Sequence, residues 1–230
     1  MNTDNTSISA ETIDYGPCAF MDDFKINKCF SSIDQRKRYS YHNQPRIILW
    51  NLSILVNSLF PLLIRKNEKE KECIERLKLK FDEFEKYQKR SWLKMMAKKI
   101  GLFEVKDSDR ELLQRLFQIL EKNKLDFTNS FRNLNDLPDS SFLEDWKQRL
   151  QEQDQGQKEI IDLMNSVNPW IIPRNHQVEK AIQEANHGDY TCFNLLTKAY
   201  QKPYEVIDEY RFLTAPPEDS EVVKRTFCGT

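Results

Sequence analysis

Apolar residues recur at helical spacing through the highly charged stretch from Lys66 to about Ile100. The stripe advances by three or four residues at each step, as one face of a helix requires; it consists of Ile74, Leu77, Phe81 and Phe84. Only 5 of the 230 residues are glycine, against a high content of Leu, Lys, Glu and Gln, which also favours helices. The chain is therefore predicted to be mainly α, with long amphipathic helices and a sizeable core.

A second predicted helix covers about residues 46–64 and opens at Gln44-Pro45, because proline is tolerated in a first turn. Its apolar residues lie on nearly all sides, which predicts a helix at the centre of the domain. Asparagine, serine and Pro61 interrupt the run, so a buried helix is favoured over a membrane span, which needs ~20 mostly apolar residues. Further helix starts are predicted at Asp107 or Ser108, Asp139, Asn175 and Asp189, with Gly188 ending the helix before it.

The two ends of the chain are predicted to be less helical. Residues 6–15 fit a short β-hairpin, with strands Ser7–Ser9 and Thr12–Asp14 and a turn near Ala10-Glu11. From Pro203 onward the chain is predicted to be extended, since Pro216-Pro217 favours polyproline geometry. The expected organisation is a main unit over residues 1–203, with an extended tail over 204–230 that contains Cys228.

The balance of charge argues against nucleic acid as a partner. Lys plus Arg is 35 and Asp plus Glu is 36, a net charge of -1 with no basic excess. The five cysteines form no C-x-x-C pair and the three histidines are widely separated, so a zinc site is not expected. An odd number of cysteines without a signal peptide predicts a reducing, intracellular compartment.

The residues with chemical potential are concentrated near the amino end. Asp4 and Asn5 stand side by side, and Asp14 follows the predicted hairpin within Asp14-Tyr15-Gly16-Pro17. Kinase-type enzymes use one carboxylate to face the attacking hydroxyl, and an amide with a second carboxylate to hold the metal that bridges the nucleotide phosphates. The same residues also favour turns, so spacing alone would leave a purely structural role open.

Several further motifs make the resemblance specific. Asn2-Thr3-Asp4-Asn5, Ile13-Asp14-Tyr15-Gly16-Pro17 and Phe20-Met21-Asp22 resemble the selenoprotein O family. So do Arg38-Tyr39-Ser40-Tyr41, Asn43-Gln44-Pro45, Trp50-Asn51-Leu52, Asn168-Pro169, Arg174-Asn175 and Ala215-Pro216-Pro217 followed by Cys228. The matches occur in the family's order from one end of the chain to the other, with little motif information between about Lys66 and Leu150.

The resemblance implies a fold, a reaction and roles for single residues. Members have a protein-kinase-like fold and transfer AMP from ATP to hydroxyl side chains of proteins, with the nucleotide reversed so that its α-phosphorus faces the acceptor. By that resemblance Asp4 is the general base, Asn5 and Asp14 hold Mg²⁺ or Mn²⁺, and Asp14 also contacts ATP. Location in the bacterial cytoplasm, or in mitochondria for a eukaryotic protein, is implied as well, without a membrane partner.

The resemblance also implies a redox pair. Cys228 stands where the family has a selenocysteine or cysteine, and Cys29 lies where members carry a partner cysteine, which implies a Cys29–Cys228 disulfide. From the residues alone, Cys228 is equally a spectator thiol in the tail, because no activating base is visible beside it.

By the same resemblance, the family's nucleotide-holding lobe would lie before Met1. Two functions therefore stay open. The chain is either the C-terminal part of a protein adenylyltransferase, with protein substrates and a separately encoded N-terminal lobe as partners, or an inactive helical remnant that at most binds a protein. Alone it is expected to bind ATP weakly and to transfer little AMP, because the lobe's charge-assisted donors to the phosphates are absent.

Overall fold

The computed structural model describes Thr3 and residues 6–9, 19–31 and 34–223. Eight α-helices lie within these residues: α1 Gln44–Leu63, α2 Glu70–Lys99, α3 Asp109–Lys122, α4 Phe127–Arg132, α5 Ser140–Gln151, α6 Gln157–Val167, α7 Asn175–Asn186 and α8 Thr191–Ala199. Short 3₁₀ helices occupy Tyr41–Asn43, Leu134–Asp136 and Asp208–Thr214. The described part of the chain contains no strand, only an isolated bridge between Asp23 and Asp126, so the prediction of a mainly α protein is confirmed.

The larger core lies where the C-terminal half of α2 packs against α3 and α6, with α5 behind α3. α3 is strongly amphipathic, and one face buries Leu113, Leu116, Phe117 and Leu120. Each such side chain contributes about 1.5–3 kcal/mol on full burial. Phe24, from the segment before α1, joins this core and stacks on Phe117 with a centroid distance of 5.0 Å.

A second core joins α7 and α8 to the segment Asp208–Thr214 and corrects the prediction for that part of the tail. Asp208–Thr214 is a 3₁₀ helix rather than extended chain. Tyr210 and Leu213 are three residues apart, so they project from the same side of that helix, and both are buried against Leu196 and Ala199 of α8. Burial of these two side chains favours the compact form; extended backbone returns only at Ala215.

The prediction that α1 lies at the centre of the domain is wrong. In α1 only Ile47 and Asn51 are buried, whereas Trp50, Ile54, Leu55, Leu59 and Leu62 are exposed. By length and composition Tyr41–Leu63 is also apolar enough to cross a membrane, and 11% of its apolar 18-residue window is buried. All-round apolarity indicates what a helix could bury, whereas the elements that actually cover it decide its exposure.

The predicted N-terminal hairpin is not seen in its first half. Ser7 is irregular and Ile8-Ser9 forms a turn, in which the Ser9 amide donates to Ser7 Oγ over 3.2 Å. This local hydrogen bond satisfies a backbone group that a strand would have paired across the hairpin. The second predicted strand, Thr12–Asp14, lies outside the described residues.

Several helix-end predictions are confirmed and two need adjustment. Asp139 caps α5 by accepting from the Phe142 amide over 2.8 Å, and α7 begins at Asn175. Ser108 precedes α3 without a side-chain capping bond, and Asp109 instead accepts from the Lys106 amide over 2.7 Å. Asp189 lies one residue before the N-cap of α8 and accepts from the Thr191 amide over 2.9 Å.

Candidate functional site

Most of the predicted chemical groups fall outside the described residues. Asp4, Asn5, Asp14 and Cys228 are among these, and their proposed roles stay predictions. The residues next to them in sequence are described: Thr3 and Thr6 flank the Asp4-Asn5 pair, and Phe20–Asp23 follows soon after Asp14. The structure therefore bears on the predicted site only through these flanking segments.

The segment around Thr6 is attached to α1. Asn51, which is 5% exposed, donates through Nδ2 to Thr6 Oγ1 over 2.7 Å. The Thr6 amide also donates to the Thr3 carbonyl over 3.3 Å. A buried asparagine is costly unless it is hydrogen-bonded, so this contact explains why a polar residue occupies a buried position of an otherwise apolar helix.

The segment after Asp14 is held by a buried arginine. Arg174 is 1% exposed, and its Nη1 lies 2.6 Å from Asp22 Oδ1 and 2.5 Å from Asp126 Oδ2. Its Nη2 donates to Asp126 Oδ1 over 3.1 Å and to the Thr214 carbonyl over 2.9 Å. One guanidinium therefore joins four parts of the chain: the segment before α1, the start of α4, the start of α7 and the C-terminal 3₁₀ helix.

Backbone contacts reinforce this connection. The Phe127 amide donates to the Asp22 carbonyl over 2.7 Å, and the Phe24 amide donates to the Leu125 carbonyl over 2.9 Å. Asn175 Nδ2 donates to the Phe20 carbonyl over 3.3 Å. Residues 20–24 are thus fixed on both sides, by the turn before α4 and by the start of α7.

The charges around Arg174 stabilise its protonated form. Burial opposes a charged guanidinium, but the hydrogen bonds and negative charges of Asp126 and then Asp22 outweigh that effect and raise the pKa of Arg174 above its usual value. The two carboxylates accept hydrogen bonds from both terminal nitrogens of the planar guanidinium, an arrangement that the single ammonium group of lysine could not provide. The arrangement suits a permanent structural ion pair rather than a group that exchanges protons.

Cys29, the described member of the predicted redox pair, carries a free thiol. Its Sγ donates to Asp34 Oδ2 over 3.2 Å. Burial, followed by the hydrogen bond and charge of Asp34, raises the pKa of the Cys29 thiol. Because the thiolate is the reactive form, this environment slows Cys29 as a nucleophile; its predicted pairing with Cys228 stays a prediction.

A metal site is not visible within residues 6–9, 19–31 and 34–223, where no group of three His, Cys, Asp or Glu side chains could hold an ion. The expected ligands, Asn5 and Asp14, lie outside these ranges. Their side chains, with that of Asp4, supply carboxylate and amide oxygens, the donors that Mg²⁺ prefers. The donor set therefore fits the metal expected from the sequence.

Asp22 and Asp126 are the supporting residues that sequence reasoning missed. Asp126 stands before α4, which the sequence did not predict, and caps it by accepting from the Asn129 amide over 2.8 Å. Asp22 belongs to the motif Phe20-Met21-Asp22, but its partner lies 152 positions further along the chain. No sequence spacing could have identified that pair.

The motif residues on which the resemblance rests contact one another. Asp22 pairs with Arg174, Phe20 with Asn175, and the Arg38 guanidinium lies 4.1 Å from the centre of the Trp50 ring. Asn168 Nδ2 donates to the Lys99 carbonyl over 2.8 Å at the end of α2. Motifs separated in sequence are therefore joined in the fold.

Comparison with known proteins gives the family. A sequence model described as protein adenylyltransferase SelO matches residues 1–201. The chain belongs to the SelO family. That match includes Asp4, Asn5 and Asp14, and it extends through α8.

Curated relatives of this SelO chain carry the name protein nucleotidyltransferase YdiU. The Clostridium perfringens (strain ATCC 13124) protein is 42% identical over 241 aligned positions, which include 100% of this chain and 49% of the relative. The Bacillus cereus (strain AH820) protein is 40% identical over 245 positions, with the same two shares. The chain thus spans about half the length of these relatives, and it matches their C-terminal portion.

Proposed function

We propose that this chain is the C-terminal, kinase-like part of a protein adenylyltransferase, which transfers AMP from ATP to Ser, Thr or Tyr hydroxyls of proteins. The observation that carries the proposal is the family match over residues 1–201, which includes the three oxygen-bearing residues predicted to form the site. The names of the relatives support nucleotidyl transfer as the reaction class.

In the proposed reaction Asp4 is the general base. The hydroxyl oxygen of the acceptor protein attacks the α-phosphorus of ATP, its proton passes to the Asp4 carboxylate, and the bond to the β-phosphate breaks to release pyrophosphate. General-base assistance of this kind contributes roughly 10²–10⁴-fold in rate. The products are AMP-modified protein and pyrophosphate.

Asn5 and Asp14 would hold the divalent cation, and Asp14 would also face the phosphates. The cation supplies charge neutralisation for the phosphate oxygens and the leaving pyrophosphate. Such a role requires Asp14 to stay fixed relative to the Asp4-Asn5 pair. Asp22 lies eight residues beyond Asp14 and pairs with Arg174, which also pairs with Asp126. These ion pairs support that requirement, because they anchor the segment that follows Asp14.

The proposal includes a partner, namely the upstream half found in the relatives. The proteins named nucleotidyltransferase are about twice the length of this chain. We infer that efficient AMP transfer needs residues equivalent to that half to hold the nucleotide.

A chimera tests the proposal without depending on association of separate pieces. In it, this chain replaces the matching half of the Clostridium perfringens relative, and incorporation of labelled AMP into protein is measured with ATP and Mg²⁺. We expect incorporation by the chimera and little or none by this chain alone. An inactive chimera that folds and binds ATP would refute the proposal and favour the inactive remnant.

A further inference from the structure

The outer surface of α1 carries an apolar stripe that the described residues do not cover. Leu55, Leu59 and Leu62 are 37%, 40% and 81% exposed. Their spacing of four and then three residues places them on one face of the helix. We call these three residues the α1 stripe.

The distribution of polarity on α1 is the reverse of that expected for a surface helix. The polar Asn51 is buried, whereas leucines along the same face are exposed. Single exposed apolar residues are ordinary, but a continuous apolar face is typical of an interaction site. The α1 stripe therefore indicates a contact that is made with another polypeptide segment or surface.

The position of the N-terminal segment identifies the occupant. Asn51 stands one helical turn before Leu55 on the same face, and it binds Thr6. The polypeptide that precedes the matched region in the relatives would join this chain close to Thr6, beside the α1 stripe. The relatives hold about as much sequence in that upstream portion as in the part matched here.

The shape and chemistry of the face suit a protein helix better than lipid. Asn57, on the opposite side of α1, is exposed as well, and an uncompensated polar group is costly in hydrocarbon. At a protein interface, by contrast, an apolar centre with a polar rim is the usual arrangement. Leucines at four–three spacing also form a ridge, and such a ridge packs into the groove of a second amphipathic helix.

We propose that the α1 stripe is the docking surface for an amphipathic helix of the family's upstream half. This inference rests on the proposed function, since it supplies the contact through which the two halves would form one enzyme. Docking buries Leu55, Leu59 and Leu62 and continues the contact that Thr6 already makes with Asn51.

Association of separately produced halves tests the proposal. The probe is the upstream half of the Clostridium perfringens relative, titrated by calorimetry into this chain without nucleotide. We expect a one-to-one complex that the double variant Leu55→Glu/Leu59→Glu weakens at least about tenfold, as for central apolar residues of interfaces. The matched control is Leu79→Glu on α2, which is 63% exposed and distant in sequence, and which should leave affinity unchanged.

Three results would overturn the proposal. These are no complex, a complex that the double variant and the control weaken equally, or binding through α1 to something else. The last would appear as a dimer of this chain, or as co-sedimentation with phosphatidylglycerol vesicles, that the double variant abolishes. Circular dichroism and urea unfolding check that the variants keep their helices, which substitutions of exposed residues should preserve.

Hydrogen exchange gives a second measurement that does not depend on affinity. Protection on complex formation should include residues 51–62 of α1 and leave α2 around Leu79 unchanged. A complex that forms through the α1 stripe but transfers no AMP would refute the proposed function and keep the docking surface. A chimera that stays active with Leu55→Glu/Leu59→Glu would refute the docking surface and keep the proposed function.

Discussion

Arg174 Nη1 lies 2.6 Å from Asp22 Oδ1, and this contact joins the segment that follows the predicted metal ligand Asp14 to the start of α7. The same guanidinium binds Asp126 and the Thr214 carbonyl. A single buried side chain thus connects the neighbourhood of the proposed site to both cores of the protein. We infer that Arg174 acts as a positioning residue for that neighbourhood.

Replacing Arg174 with methionine should be strongly destabilising. The substitution leaves Asp22 and Asp126 with unpaired, largely buried charges, and loss of one partner of a buried pair costs about 3–5 kcal/mol. Asp22→Asn removes one charge and keeps the rest of the network, so it should cost less, about 1.5–3 kcal/mol for a charged hydrogen bond. Urea unfolding of the chain measures both losses.

The control for this prediction is the exposed pair of Arg115 and Asp145. Arg115→Met should cost less than about 1 kcal/mol, because water screens an exposed ion pair. Equal losses for Arg174→Met and Arg115→Met would show that the buried network has no special importance for stability.

Two glycines with positive φ allow the cost of backbone strain to be measured apart from the cost of side-chain crowding. Gly101 has φ +84° and a Cβ there would lie 2.7 Å from Ile160 Cγ2, whereas Gly188 has φ +88° and open space around it. Gly188→Ala should cost about 1–2 kcal/mol for the left-handed conformation. Gly101→Ala should cost about 1–3 kcal/mol more, because the side chain of Ile160 must shift and Met164 Sδ lies only 3.2 Å away. Thermal unfolding of both variants measures the difference, and equal losses would contradict the predicted crowding.

The helices were largely predictable because their signals are local. Asp139 caps α5, Pro45 lies in the first turn of α1, and α7 begins at Asn175, as the sequence indicates. Burial was not predictable in the same way. Leucine is typical of protein cores, yet Leu62 is 81% exposed. Burial depends on which elements lie against the helix, and the sequence of the helix does not contain that information.

The supporting contacts of the site were the least predictable. Arg174 and Asn175 stand in one motif, but their contacts with Asp22 and Phe20 span more than 150 positions. The folding of Asp208–Thr214 onto α8 was missed because a short 3₁₀ helix carries little periodicity. Resemblance predicts Asp4, Asn5 and Asp14 as site residues because it compares whole motifs.

Lys99 should make stability depend on pH. Burial lowers its pKa to about 8 from an ordinary value of 10.5. Between those values the unfolded chain binds more protons than the folded chain, so this lysine's contribution to the free energy of unfolding rises with pH. Below about pH 8 both states are protonated and the cost of burying the charge is constant.

The variant Lys99→Met removes this contribution. Its stability relative to the natural chain should therefore be most favourable at pH 7 and should decline toward pH 10, measured by urea unfolding at both values. Lys98→Met, at the neighbouring exposed position, is the control and should show no such trend. A constant difference for Lys99→Met would mean that the ammonium group is not desolvated in the folded protein.

Cys29 should react slowly with alkylating agents and become faster when Asp34 is changed. Burial and the Asp34 carboxylate raise the pKa of the Cys29 thiol. Asp34→Asn removes the negative charge and should increase the alkylation rate several-fold at neutral pH, because more thiolate is present. Iodoacetamide labelling followed by peptide mass spectrometry measures Cys29 separately from Cys73 and Cys192. An unchanged rate would indicate that burial alone controls the thiol.

The proposed roles of Asp4 and Asp14 predict different kinetic losses in the chimera. Asp4→Asn removes the base and should lower kcat by about 10²–10⁴-fold while calorimetry still detects ATP binding with Mg²⁺. Asp14→Asn removes a charged metal ligand and should lower both AMP transfer and affinity for the ATP–Mg²⁺ complex. The matched control is Asp23→Asn, because the Asp23 carboxylate pairs with Lys25 over 2.6 Å at the surface and has no proposed part in the reaction. If Asp4→Asn retained full AMP transfer, the hydroxyl proton would have to leave by another route, and Asp4 would not be the base.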